Sequence, residues 1–128
     1  MRKQVLSLLV ENTSGVLSHI SGLFSRRGYN IDSFSAGVTA DPRFTRITVV
    51  SSGDEQILEQ IEKQLNKKLD VIKVKTLSQE QCYTRELMLL KVKYNKNNRR
   101  DIIEICDIMK TEIVDMSKHF MMLQICDA

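Results

Sequence analysis

Residues 5–10, Val-Leu-Ser-Leu-Leu-Val, form an apolar run that breaks at Asn12-Thr13-Ser14-Gly15 and resumes at Val16 with a different period. The first stretch has the continuity of a central strand, whereas Val16, Leu17, Ile20, Leu23 and Phe24 repeat at helical spacing. Arg26-Arg27-Gly28 then supplies last-turn cations and a glycine stop. A strand that passes through a glycine turn into a helix aims several unpaired N–H groups and the positive end of the helix dipole at one spot. That spot suits a small anion such as a free amino-acid carboxylate. Gly15 lacks the Cβ that would keep a ligand off the backbone, and the Asn12 amide offers a donor and an acceptor beside it. The same residues also suit a plain helix start, with Thr13 or Ser14 as the cap and Gly15 easing the turn.

The elements that follow give the turn a setting. Residues 29–38 alternate imperfectly through Ile31, Phe34, Ala36 and Val38, and Asp41-Pro42 marks a turn. Residues 45–51 set Ile47 and Val49 against Arg46 and Thr48, so the two strands form a hairpin-like pair. Asp54-Glu55 open a second helix with the apolar face Ile57, Leu58, Ile61 and Leu65, Glu59 and Lys63 pairing at i,i+4, and Lys67-Lys68 ending it. Residues 69–77 read as a fourth strand, Ile72 and Val74 inward, Lys73 and Lys75 outward. Residues 1–77 thus spell βαββαβ, two right-handed split crossovers that give an α+β, ferredoxin-like unit with both helices on one face of an antiparallel sheet. Residues 78–85 are a polar linker, and the pattern then restarts as strand 86–94, helix 98–111, strand 112–116 and strand 119–126. This second unit reads β-α-β-β, without the helix and strand that would complete another copy.

Composition narrows the function classes. The 128 residues carry 42% hydrophobic and 27% charged side chains, an ordinary globular balance. No apolar run approaches the roughly 18 residues of a membrane span, and Met1-Arg2-Lys3-Gln4 leads into a strand pattern without a signal-peptide core, so a cytoplasmic location is expected. Cys82, Cys106 and Cys126 are odd in number and never arranged as CxxC, which suggests neither a disulfide framework nor a zinc site. The net charge is +3, and the basic pairs Arg26-Arg27, Lys67-Lys68 and Arg99-Arg100 are scattered among acids, two of them where cations favour a helix C-terminus, with no aromatic platform beside them, so no nucleic-acid partner is expected. His19 and His119 lack a second ligand at metal spacing. Asp32 and Asp115 stand without the partner that would tune a catalytic pKa and read as strand-surface groups. Met109, Met116, Met121 and Met122 read as gap-fillers in a small core, or as an adaptable docking surface.

Three longer motifs carry a family resemblance. Leu8-Leu9-Val10-Glu11-Asn12-Thr13-Ser14-Gly15-Val16-Leu17, the run from Gly22 to Ser33 (Gly-Leu-Phe-Ser-Arg-Arg-Gly-Tyr-Asn-Ile-Asp-Ser), and Gly53-Asp54-Glu55-Gln56 with the following 58–65 make residues 3–77 resemble an ACT domain. Through Arg85-Glu86-Leu87-Met88-Leu89 and Ile113-Val114-Asp115, the whole chain resembles the small regulatory subunits of acetohydroxyacid synthase (acetolactate synthase). The resemblance implies no catalysis in this chain and no cofactor of its own. It implies a large catalytic partner that holds thiamine diphosphate, FAD and magnesium and makes precursors of the branched-chain amino acids. The small subunit of such a pair raises the partner's activity and confers feedback inhibition, typically by valine. Carried over by motif, the effector carboxylate sits on the N–H groups of Gly15, Val16 and Leu17 with Asn12 beside it. Asn30 of a neighbouring chain meets the effector's amino group, and Ile31 lines its side-chain end. A homodimer through the ACT domains is expected, because each unit is small and the site is open on one side. An acylphosphatase-like enzyme on this plan would need an arginine in the cradle, and residues 12–16 have none. A free-standing ACT-domain sensor acting on another enzyme or a transcription factor is the alternative, and no stretch here reads as a helix-turn-helix.

Overall fold

The computed structural model describes residues 2–78 and 80–127 and divides the chain into two compact units, 1–82 and 83–128. Met1, Gln79 of the expected linker and Ala128 lie outside the described residues. The first unit runs β1 (Arg2–Glu11), α1 (Val16–Arg26), β2 (Asn30–Val38), β3 (Phe44–Gly53), α2 (Glu55–Asn66) and β4 (Val71–Leu77). Its sheet has the antiparallel order β2-β3-β1-β4, the expected ferredoxin-like arrangement. β1 takes the centre, paired with β3 along one edge and β4 along the other, and its residues 5–10 are buried or half-buried. Leu6, Leu8 and Val10 join Ile47 and Val49 of β3 under Val16, Ile20, Leu23 and Phe24 of α1 and Leu58, Ile61 and Leu65 of α2. One cluster therefore gathers both helices on one sheet face. Each of these buried Leu, Ile, Val or Phe side chains contributes about 1.5–3 kcal/mol relative to exposure.

Glycine and aspartate set the helix ends. Gly28, at φ 68°, lets α1 stop in a Schellman turn, with the Tyr29 N–H reaching the Phe24 carbonyl at 2.9 Å. Asp54 caps α2 by accepting the Ile57 N–H at 2.9 Å. Glu59 and Lys63 make no ion pair, whereas the exposed Glu55 meets Arg2 at 2.8 Å.

Two β-bulges correct the strand patterns. In β2 the register skips Asp32, so Ile31 and Phe34 both face the core and the alternation is imperfect for that reason. In β4 the register skips Ile72, so Ile72 is exposed and Val71 is buried in its place, while Val74 packs on the core and Lys73 and Lys75 face out as expected.

The second unit runs β5 (Glu86–Lys93), α3 (Arg99–Met109), β6 (Glu112–Met116) and β7 (Phe120–Asp127), in the order β5-β7-β6. This repeats β1-β3-β2, so β5 holds the place of the central β1 and yet lies at an edge. Its core is small: Cys106, Met121 and Leu123, with Val92, Tyr94, Ile102 and Ile103 packed around them. Of the four methionines only Met121 is buried, and Met109 and Met116 are exposed. The helix ends two residues before the expected Thr111 because Lys110 adopts the left-handed conformation at φ 56° and the Thr111 N–H turns back to the Cys106 carbonyl at 2.8 Å. Among the described residues, no helix is long and apolar enough to cross a membrane.

Candidate functional site at the head of the first helix

Gly15 is the N-cap of α1, at φ 86° and ψ −2°, and no side chain caps the helix. Thr13 and Ser14 do not fill that role. The Val16 N–H makes only a long 3.4 Å contact to the Thr13 carbonyl, and the N–H groups of Leu17 and Ser18 have no hydrogen-bond acceptor among the described residues. The helix has no acidic residue in its first turn. It differs in this from α2, where the Asp54 carboxylate occupies the equivalent position. α1 thus presents an unneutralised positive end and free donors at a point where carboxylates bind.

Those donors open into a cleft of about 450 Å³ lined by Asn12, Thr13, Gly15, Val16, Leu17, Ser18, Ala36, Gly37, Val38 and Thr45. One end is polar and the wall is made of Val16, Leu17, Ala36 and Val38, so the space combines an anion seat with a short apolar surface. The edge of β2 forms that wall because its last residues, Ala36 to Val38, pair with Ile47, Arg46 and Thr45 of β3 beside the loop. Of the expected site residues, Asn12, Gly15, Val16 and Leu17 come together here.

Asn30 and Ile31 do not join them within one chain. Asn30 pairs with Ser52, which pairs with Lys3, whereas the cleft lies at the Val38–Thr45–Val10 end of the same strands. Seven residues of strand separate the two ends, about 23 Å. The Asn30 amide donates to the Asp32 carboxylate and, at 3.4 Å, to the Ser52 hydroxyl, and the half-buried Ile31 packs on its own unit's core. The sequence reading missed Ala36, Gly37, Val38 and Thr45, and only the sheet register brings these to the loop.

Asn12 is engaged by the protein itself. Its Nδ2 donates to the Pro42 carbonyl at 3.0 Å, its Oδ1 accepts from the Thr45 hydroxyl at 3.1 Å, and its backbone N–H donates to the Arg43 carbonyl at 2.8 Å. The adjoining turn is stiffened by Arg43, whose guanidinium and N–H bind the Asp41 carboxylate and hold it below the usual carboxylate range. Exposed His19 lies 3.0 Å from Asp70, whose carbonyl takes the Glu11 N–H, so α1 is also tied to the segment before β4.

A βαββαβ unit with both helices on one face of the sheet and an uncapped helix head over a small apolar cleft has the architecture of an ACT domain. The family comparisons make this particular. The AHAS small subunit-like ACT domain matches residues 6–73, and the small subunit of acetolactate synthase matches residues 85–128. The acetolactate synthase isozyme 3 small subunit of Escherichia coli is 42% identical over 123 residues, 96% of this chain and 76% of that one. The acetolactate synthase small subunit of Haemophilus influenzae is 45% identical over 115 residues, 90% and 71% of the two chains. The crystal structure of the Thermotoga maritima acetolactate synthase small subunit superposes with a TM-score of 0.92 at 33% identity, covering all of this chain and 80% of that one. The chain belongs to the acetolactate synthase small-subunit family, and it is a regulatory, non-catalytic subunit.

Proposed function

We propose that this chain activates a large, thiamine-diphosphate-dependent acetolactate synthase subunit in the cytoplasm and makes it answer to a branched-chain amino acid, valine, bound at the head of α1. The observation that carries this is the uncapped first turn of α1, with the free Leu17 and Ser18 N–H groups opening into the cleft. The effector's carboxylate takes on α1 the role that Asp54 takes on α2. Its short aliphatic side chain lies against Val16, Ala36 and Val38. Residues 1–77 carry effector binding and self-association, and residues 86–128 form a separate C-terminal domain.

Self-association completes the site. β2 is an edge strand with no proline and no lysine, and its stretch from Ser33 to Val38, beyond the bulge at Asp32, carries no charge to discourage pairing with another strand. Antiparallel pairing of two copies of β2 about Phe34, its central residue, carries the Asn30 end of one chain to the Val38 end of the other, beside the cleft. The Asn30 carbonyl oxygen, with Asp32 next to it, then faces the amino group of the effector, and Ile31 follows. This geometry supports a shared site, because Asn30 is too far from the cleft within its own chain.

The test is reconstitution with the catalytic subunit. Acetolactate formation is expected to rise when this chain is added and to fall when L-valine is then titrated in. No stimulation at saturating chain would refute the regulatory assignment, and stimulation insensitive to valine, leucine and isoleucine would refute the effector assignment alone.

A further inference from the structure

Thr45 was not marked by any sequence motif, yet it is 6% exposed, lines the cleft and pairs across the sheet with Val10 and Val38. Its hydroxyl reaches Asn12 Oδ1 at 3.1 Å while Asn12 Nδ2 reaches the Pro42 carbonyl at 3.0 Å. A carbonyl oxygen only accepts, so the Asn12 atom facing Pro42 must be the amide nitrogen and the atom facing Thr45 must be the oxygen. The Thr45 hydroxyl therefore donates. Together with the Asn12 N–H bond to Arg43, these contacts pin the loop that ends at Gly15 onto the turn around Pro42.

We infer that Thr45 is a positioning residue of the effector site, acting through Asn12. Resting on the effector reading above, this assigns Asn12 to holding the loop rather than to gripping the ligand. The distance between the free N–H groups of α1 and the apolar wall of β2 depends on where that loop sits. β3, which carries Thr45, is the strand to which β2 is paired, so one hydroxyl sets the anion seat and the wall in register. Replacing Thr45 by valine keeps the shape and removes the donor, which leaves Asn12 Oδ1 without its partner and the amide free to turn. Serine keeps the hydroxyl.

The experiment is calorimetric titration of the purified chain with L-valine, for the parent, T45V, T45S, N12A and the T45V/N12A double variant, with a thermal melt of each. T45V is expected to weaken valine binding three- to tenfold, the loss of one hydrogen bond, and T45S to stay within twofold of the parent. The double variant is expected to bind no more weakly than N12A alone, because Thr45 acts through Asn12. Amide exchange at residues 12–15 without effector should quicken in T45V and not in T45S. Parent-like affinity in T45V, additive losses in the double variant, or equal losses in T45S and T45V would each overturn the inference while leaving the effector reading intact. A parent chain that binds neither valine, leucine nor isoleucine would overturn the effector reading and this role with it.

Discussion

Replacing Gly15 by aspartate separates the two things Gly15 does. The residue adopts φ 86°, where an L side chain costs about 1–2 kcal/mol, although aspartate is among those that tolerate it best. Space is not an obstacle, since a Cβ built there meets no atom within 4 Å. A negative charge at the head of α1 returns about 0.3–1 kcal/mol through the helix dipole, because the first turn holds no other acid. The net cost is therefore about 1 kcal/mol, a fall in Tm of about 4–8 °C for a unit of this size. The effect on the effector is larger, because the new carboxylate competes for the same N–H groups and repels the ligand's carboxylate. Loss of a typical allosteric coupling of about 1–3 kcal/mol raises the half-inhibitory valine concentration roughly 5- to 150-fold. Gly15→Ala is the control: it carries the same backbone strain without the charge, so it should melt at least as low yet keep more of the valine response. The assay is a valine titration of the reconstituted synthase beside melts of both variants. A folded Gly15→Asp subunit with unchanged inhibition would show that the uncapped helix head does not hold the effector.

Other outcomes follow from the same geometry. Asp54→Ala removes the cap of α2 and should cost about 1 kcal/mol in a denaturant melt, without altering the valine response. Lys110→Gly relieves a left-handed lysine at the end of α3; after the greater chain entropy of glycine is deducted, it should stabilise the second unit by about 0.5–1 kcal/mol, read from its melting transition. Asp41 should titrate by NMR below the ordinary carboxylate range, chiefly through the Arg43 side chain and then its N–H. Its contribution to stability is therefore present above the unfolded carboxylate pKa and lost as pH falls through the lower folded value, and Arg43→Ala should move the midpoint back up.

The sequence revealed most where one residue type answers one backbone demand. Gly15 between a strand and a helix, Gly28 after the last turn and Asp54 before the second helix each have the role their chemistry suggests. It misled where the deciding event was a register shift. The bulges at Asp32 and Ile72 each add one residue to a strand, so the residues before and after each bulge follow different alternations. Nothing in the composition of residues 69–77 announces that Ile72 will be left out. Lys110 gives no local hint of φ 56°, because lysine is not a residue that seeks that conformation. Half the cleft escaped the sequence for a different reason: Ala36, Gly37, Val38 and Thr45 reach the loop only through pairing across β3, and alternation alone does not say which strands are neighbours. Asn12 was marked by its type, but its engagement with Pro42 and Thr45 depends on a contact 30 and 33 residues away.

The exposed place of β5 has a consequence for how the chain survives its own synthesis. Leu87-Met88-Leu89-Leu90 is an uncharged tetrad on an unpaired strand edge, with Leu87 and Leu89 67% and 61% exposed, and it emerges from the ribosome after the first unit but before β7, its hydrogen-bonding neighbour. During that interval the tetrad is the kind of segment that joins with copies of itself into stacked aggregates. Glu86 on one side and Lys91 and Lys93 on the other act as gatekeepers, since stacking like strands would bring like charges together. Self-stacking of the nascent strand is thus opposed by charges that flank it on both sides.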